Sequence, residues 1–82
     1  MNVELDKVLT IVRTFVARKR GASADAITAD TPLLRGGCLD SFQLVELIAE
    51  LERDLGEAIP EGMLIPEDFE SPAVLHARLS EI

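Results

Sequence analysis

The chain has 82 residues, a net charge of −7, one Cys, three Phe, and neither Trp nor Tyr. This length predicts one domain over residues 1–82 and excludes a two-lobed enzyme, while the single cysteine excludes an intramolecular disulfide framework. The opening residues are unlike a signal peptide, and no apolar run is long enough to span a membrane. We expect a cytoplasmic protein that is monomeric and does not insert into membranes.

A first helix is predicted over residues 3–19, where apolar residues recur at three- and four-residue steps. Its predicted apolar face consists of Leu5, Val8, Leu9, Val12, Phe15 and Val16. Basic residues 18–20 suit its C-terminal turn, and Gly21 is its predicted stop. A long ordered loop to about residue 39 follows, with Ile27, Leu33 and Leu34 as apolar anchors.

A second helix is predicted over residues 40–54, with Asp40 and Gln43 forming a variant of the capping box and Gly56 ending the helix. Its predicted buried stripe is Leu44, Leu47, Ile48, Leu51 and Leu55. Gln43, Glu46, Glu50 and Arg53 are predicted to face solvent, with Phe42, Val45 and Ala49 along the border between the two faces.

The remaining residues predict a loop, a short helix and a final helix. The apolar anchors of the loop are Ile59, Met63, Leu64 and Ile65. Residues 67–69 predict the short helix, and Ser71 with Pro72 predicts the start of the last one. The apolar face of the last helix is predicted to contain Val74, Leu75, Leu79 and Ile82. The chain is therefore predicted to be all-α, a small four-helix bundle with three main helices, one short helix and a long loop between helices 1 and 2.

Acidic side chains are concentrated in the second half of the chain. Residues 40–70 carry ten of them against Arg53 alone, whereas residues 1–39 carry six basic and four acidic side chains. Such a surface repels nucleic acid and favours a protein partner with a basic docking patch. Surface acids that only keep a small domain soluble are the alternative explanation.

Ser41 is the candidate functional residue. It follows Asp40 in the first turn of helix 2, where unpaired backbone N–H groups and the helix dipole favour a negatively charged group. The sole histidine, His76, lies on the last helix without evident triad partners, so Ser41 is a poor candidate for an enzyme's own nucleophile. Its position suits a hydroxyl that another enzyme modifies, although it is also an ordinary way to begin a helix.

Two other chemistries are weaker candidates. Cys38 could hold a thioester itself, but no base or cation lies nearby to activate it, and a small residue packing the loop is the favoured interpretation. One Cys and one His cannot build a zinc site, and the acidic residues lack the spacing of a calcium loop. We predict no metal site and no catalytic residue.

The sequence Gly-Cys-Leu-Asp-Ser-Phe at residues 37–42, followed by Val-Glu-Leu at 45–47, resembles the acyl carrier protein family. In that family an Asp-Ser-Leu or Asp-Ser-Met motif opens the second helix. The likeness continues at residues 30–33, 51–59 and 69–72, so it covers essentially the whole chain.

The resemblance implies a single, non-catalytic carrier domain whose Ser41 receives 4′-phosphopantetheine from coenzyme A, with Asp40 as part of the motif. A separate phosphopantetheinyl transferase would attach this arm. The thiol of the arm would then hold an acyl or aminoacyl group as a thioester and present it to a loading ligase and a downstream transferase or synthase. Phe42, Val45, Glu46 and Glu50 would form the partner-docking face.

Two positions depart from the usual family pattern. Phe42 replaces the usual Leu or Met after the serine, and Leu39 precedes the aspartate, as in D-alanyl and other stand-alone aminoacyl carriers. Leu39 favours an amino acid or a specialised acyl unit as the cargo, although polyketide and peptide-synthetase carriers also show Leu-Asp-Ser. The alternative hypothesis is an acidic helical adaptor for protein–protein interaction that never bears the arm.

Overall fold

The computed structural model describes residues 2–20, 26–37, 39–60 and 62–81. These residues form three α-helices, α1 (Leu5–Arg20), α2 (Ser41–Leu55) and α3 (Pro72–Leu79), and a 3-10 helix (Pro66–Phe69) before α3, with no strand among them. The all-α prediction is confirmed. The bounds of α1, α2 and the 3-10 helix lie within two residues of the predicted ones, and α3 begins at the predicted Pro72. The predictions for Gly21, Cys38 and Ile82 fall outside the described residues.

The two ends of α2 are fixed by its own local sequence. The Gln43 N–H donates to Asp40 Oδ1 at 2.8 Å, and the Asp40 N–H donates to Gln43 Oε1 at 3.1 Å, which completes the predicted capping box. Gly56 ends the helix in the left-handed region, with φ of 70°, and its N–H donates to the Glu52 carbonyl at 2.9 Å. These contacts place Ser41 as the first residue of α2.

A side-chain acceptor also fixes the start of α3 and of the 3-10 helix. The Val74 N–H donates to Ser71 Oγ at 3.2 Å, so the predicted cap of α3 is confirmed. The Ile65 N–H donates to Asp68 Oδ2 at 2.9 Å, which fixes the first turn of the 3-10 helix.

The hydrophobic core lies where α1 packs against α2 and α3, with the 3-10 helix closing it against α2 and α3. Its buried side chains are Val8, Ile11, Val12, Phe15, Val16, Ile27, Leu33, Leu39, Leu44, Leu47, Leu51, Ile59, Phe69, Leu75 and Leu79. Because Ile27 and Leu33 are among them, the predicted anchoring of the long loop is confirmed.

Several predictions of which side chains face solvent are wrong. Glu50, predicted to face solvent, is buried, and Phe42 and Val45, predicted at the border, are 76% and 68% exposed. Val74 is exposed because it lies beside the Pro72, Leu75 and Leu79 stripe of α3. Ile65 is half-exposed, since it precedes the 3-10 helix in extended backbone and points away from the core.

Candidate functional site

Ser41 stands exposed at the N-terminus of α2. The two side chains that cap the helix, those of Asp40 and Gln43, are turned back onto each other's backbone N–H groups. No hydrogen bond joins the Ser41 hydroxyl to another residue that the structure describes. The hydroxyl is therefore accessible while the backbone beneath it is held in place.

Backbone hydrogen bonds tie the loop before Ser41 to the junction of the 3-10 helix and α3. The Leu33 N–H donates to the Glu70 carbonyl at 3.1 Å, and the Ala73 N–H donates to the Ala29 carbonyl at 2.9 Å. Arg35 also forms an ion pair with Glu70. These contacts order a loop of unusual length, because its backbone groups are satisfied at the junction of the 3-10 helix and α3.

A tight turn precedes the site. The Gly37 N–H donates to the Leu34 carbonyl at 3.1 Å, and a Cβ at Gly36 would lie 2.5 Å from the Pro32 carbonyl oxygen. Only glycine accommodates this approach. Gly36 therefore permits this sharp turn.

Leu39 completes the link between the loop and α2. Its side chain is buried in the core, and its N–H donates to the Leu33 carbonyl at 3.0 Å. Packing in the core therefore explains the leucine at this position, which the sequence had linked to an aminoacyl cargo. The buried side chain cannot contact a cargo held outside the bundle.

The N-terminus of α2 suits a negatively charged substituent on Ser41. The first intrahelical hydrogen bond runs from the Leu44 N–H to the Asp40 carbonyl at 3.1 Å, so the N–H groups of Ser41 and Phe42 come before the helical ladder. These groups and the positive end of the helix dipole favour a phosphate there, while the Asp40 carboxylate partly opposes it. The residues present fit a phosphodiester on Ser41.

Beyond Ser41, the four predicted docking residues differ in exposure. Phe42 and Val45 are exposed, and Glu46 is partly exposed, with Lys19 Nζ donating to its Oε2 at 2.6 Å. Glu50 is only 8% exposed. The predicted solvent exposure of Glu50 is therefore wrong, and we leave this residue out of the docking face proposed below.

Glu50 is buried because two arginines meet it from different elements. Arg18 Nη2 of α1 lies 2.5 Å from Glu50 Oε1, and Arg53 pairs with the other carboxylate oxygen. Sequence reasoning assigned Arg18 and Lys19 only to the dipole of α1. The one signal that could have indicated these pairs is the cluster of basic residues at the end of α1, opposite an acidic second helix.

The sole histidine makes a structural contact, and the described residues contain no cluster of metal ligands. His76 Nε2 donates to the Val3 carbonyl oxygen at 2.8 Å, which ties the N-terminal segment to α3. Within the described part of the chain, no three His, Cys, Asp or Glu residues are grouped as a metal site would require. None of its helices is long and apolar enough to cross a membrane.

The fold and the site define a small helical domain that displays one serine at a helix start, which is the architecture of a carrier. The sequence model of the phosphopantetheine attachment site family matches residues 10–78. The chain belongs to this family, whose members bear covalently attached 4′-phosphopantetheine. The predicted resemblance to acyl carrier proteins is thereby confirmed.

Comparisons with individual proteins give one structural relative to report. A chain in a solved structure described as "Crystal structure of FAD-dependent dehydrogenase" is 36% identical, with a TM-score of 0.68. The match covers 84% of this chain and 99% of that chain. The search of curated proteins gives no match. Carrier domains of this family are generally non-catalytic, and they interact with phosphopantetheinyl transferases and acyl-processing enzymes.

Proposed function

We propose that this chain is a carrier that bears its 4′-phosphopantetheine arm on Ser41 and shuttles acyl or aminoacyl groups between partner enzymes. The observation that carries the proposal is the exposed hydroxyl of Ser41 on the first residue of a capped helix, inside the matched family region. When attached, the arm supplies a terminal thiol that holds acyl groups as thioesters.

The surrounding residues support this role without performing chemistry themselves. Asp40 fixes the start of α2 and so the direction in which the Ser41 hydroxyl projects. The first-turn N–H groups and the helix dipole stabilise the phosphate charge. Phe42, Val45 and Glu46 follow the serine on the accessible surface of α2, where a docked enzyme would make contact with them.

Attachment of the arm tests the proposal directly. We expect the apo protein, incubated with coenzyme A and a broad-specificity phosphopantetheinyl transferase, to gain one arm by intact mass. Ser41→Ala should gain none, whereas the matched control Ser80→Ala, an exposed serine at the end of α3, should gain one. No gain in the wild type, or an equal gain in Ser41→Ala, would rule the proposal out.

The adaptor hypothesis makes the opposite prediction for function. An arm-less adaptor would work equally well with Ser41→Ala, because its partner would recognise the helical surface alone. The family match favours the carrier. Retention of cellular function by Ser41→Ala would reverse that preference.

We also propose that a flavin-dependent dehydrogenase is one of the partner enzymes and acts on the cargo of the loaded carrier. This proposal rests on the description of the similar solved chain. Carrier loaded with a saturated acyl or aminoacyl group should lose a pair of hydrogens, seen by mass, when incubated with that flavoenzyme. An unchanged cargo, with the flavin still oxidised, would contradict this part of the proposal.

A further inference from the structure

We propose that Glu70 and Arg35 are positioning residues for arm transfer, because their ion pair holds the loop that sets the orientation of Ser41. Neither residue forms a hydrogen bond with the Ser41 hydroxyl, so both act through the backbone that leads to the start of α2. The inference rests on the carrier function proposed above and adds to it two residues that lie outside the Asp-Ser motif.

Glu70 holds the loop at two points. Its backbone carbonyl accepts the Leu33 N–H at 3.1 Å, and its carboxylate pairs with Arg35 Nη2. The first contact joins backbone atoms and does not depend on the Glu70 side chain, whereas the second depends on the charge of both side chains. Substitution of the Glu70 carboxylate therefore removes one contact and keeps the other.

The backbone that carries the Glu70 side chain is itself well fixed. Glu70 lies between Phe69, which is buried, and Ser71, which is buried and caps α3. Its own N–H donates to the Glu67 carbonyl at 3.3 Å. Since its neighbours on both sides belong to the packed part of the bundle, the Glu70 side chain is a firm anchor for the loop.

Arg35 lies in the turn that leads towards Ser41. The Gly37 N–H donates to the Leu34 carbonyl at 3.1 Å, so Arg35 is one of the central residues of this turn. In the sequence, Arg35 is also the sole basic residue between Arg20 and Arg53. The Glu70 carboxylate therefore holds the turn through the one cation that this segment offers.

A further hydrogen bond carries the constraint to the start of α2. The Leu39 N–H donates to the Leu33 carbonyl at 3.0 Å, so the chain returns, two residues before Ser41, to the same residue that Glu70 holds. Both leucine side chains are buried in the core. Because the turn is closed in this way, loosening the loop at Arg35 also loosens the segment that carries the serine.

Arm transfer is sensitive to such a movement. The Ser41 Oγ forms a bond to phosphorus as the pyrophosphate bond of coenzyme A breaks, the nucleotide half of coenzyme A leaves, and the hydroxyl proton passes to the transferase or to water. The attacking and leaving oxygens lie roughly in line, and a misplacement of about 1 Å can lower the rate about a hundredfold. Since the described residues give the Ser41 hydroxyl no hydrogen bond, its position depends on the backbone.

The ion pair is too exposed to be important for the stability of the fold. The Arg35 and Glu70 side chains are 73% and 43% exposed, and ion pairs in such surroundings contribute little to the free energy of unfolding. Loss of the pair should therefore loosen the loop without unfolding the bundle, and this difference separates positioning from folding.

The single-turnover rate of arm transfer, with the transferase and coenzyme A in excess, tests the inference. Glu70→Gln and Arg35→Gln should each lower this rate about threefold to tenfold, while the midpoint of urea unfolding stays close to that of the wild type. The double change Arg35→Glu with Glu70→Arg reverses the pair and should restore the rate to within about twofold of the wild type.

The matched control is Glu81→Gln. It breaks another exposed arginine–glutamate pair, in which Arg78 Nη1 of α3 lies 3.2 Å from Glu81 Oε2. This pair makes no contact with the loop before Ser41, so the rate of arm transfer should be unchanged.

Amide hydrogen exchange of the apo protein measures the loop without the transferase. Glu70→Gln should speed exchange of the Leu39 N–H about fivefold or more, because the closed turn opens more often. The Leu75 N–H, which donates to the Ser71 carbonyl at 3.0 Å inside α3, should exchange as in the wild type.

Three results would each overturn the inference. They are unchanged transfer rates in both glutamine variants, unchanged exchange at Leu39, and a loss of rate that the reversed pair does not restore, since the last would indicate direct contact of Arg35 or Glu70 with the transferase. Failure of the transferase to modify the wild type would instead overturn the carrier function, so the two failures are distinguishable.

Discussion

Glu50 differs most from its expected environment among the residues of α2. Its sequence position is typical of a solvent-facing glutamate, because Glu50 is not one of the apolar residues that form the buried stripe of the helix. Its burial depends on Arg18, which is 32 residues away in the chain. A helical pattern reports only neighbours on the same helix, so the periodicity of α2 could not indicate this pair, and the basic cluster at the end of α1 was its one signal in the sequence.

The Glu50 cluster should respond asymmetrically to substitution. Glu50→Gln leaves two arginines that are both well exposed, and water can solvate them, so we expect a loss of about 1 kcal/mol in the free energy of unfolding. The double change Arg18→Ala and Arg53→Ala leaves a buried carboxylate without a cation and should cost about 3 kcal/mol. Urea unfolding of both variants measures the difference, and a larger cost for Glu50→Gln would contradict this description of the cluster.

Phe42 is the second residue at which pattern and structure diverge. The helical pattern predicts Phe42 at the border of the buried stripe, yet this side chain is the most exposed large apolar group among the described residues. Functional surfaces retain such side chains because a partner covers them, which no rule about folding alone predicts.

At the scale of the elements, the sequence predicted most of what the structure shows. The capping box of α2, its glycine stop and the serine cap of α3 are local signals, each made within four residues. The ties of the long loop to Glu70 and Ala73 are not local, and only its apolar anchors could be predicted.

Asp40 should contribute to stability as a cap more than as a charge. Asp40→Ala removes the acceptor for the Gln43 N–H and should lower the free energy of unfolding by about 1 kcal/mol. Asp40→Asn keeps an acceptor at the same place and should lose at most a few tenths of that amount. Chemical denaturation distinguishes the two variants, and equal losses would show that the carboxylate charge matters instead.

For the whole molecule, one small core must hold all four helical elements. A domain of this size has a free energy of unfolding of roughly 4–12 kcal/mol, so one buried aromatic is a large share of it. Phe69 lies in the 3-10 helix, which contacts both α2 and α3, and its side chain is 1% exposed. Its loss should therefore affect the whole bundle.

Phe69 and Phe42 form a matched pair, because one phenylalanine is buried and the other is exposed. Substituting each by alanine distinguishes a side chain that stabilises the fold from one that is free to contact a partner. Phe69→Ala should destabilise the protein by about 3–5 kcal/mol through lost burial and a cavity, whereas Phe42→Ala should change stability by less than about 0.5 kcal/mol. Thermal unfolding followed by circular dichroism measures both. A large loss in Phe42→Ala would mean that Phe42 packs against the domain and is no free docking anchor.

The central claim is that Ser41, and no other residue, carries the arm. Trypsin cleavage after Arg35 and Arg53 releases a peptide of residues 36–53, in which Ser41 is the only hydroxyl side chain and Cys38 the only thiol. After incubation with coenzyme A and the transferase, fragmentation of this peptide should place one phosphopantetheine on Ser41. An arm on Cys38, on another peptide, or on none would contradict the account.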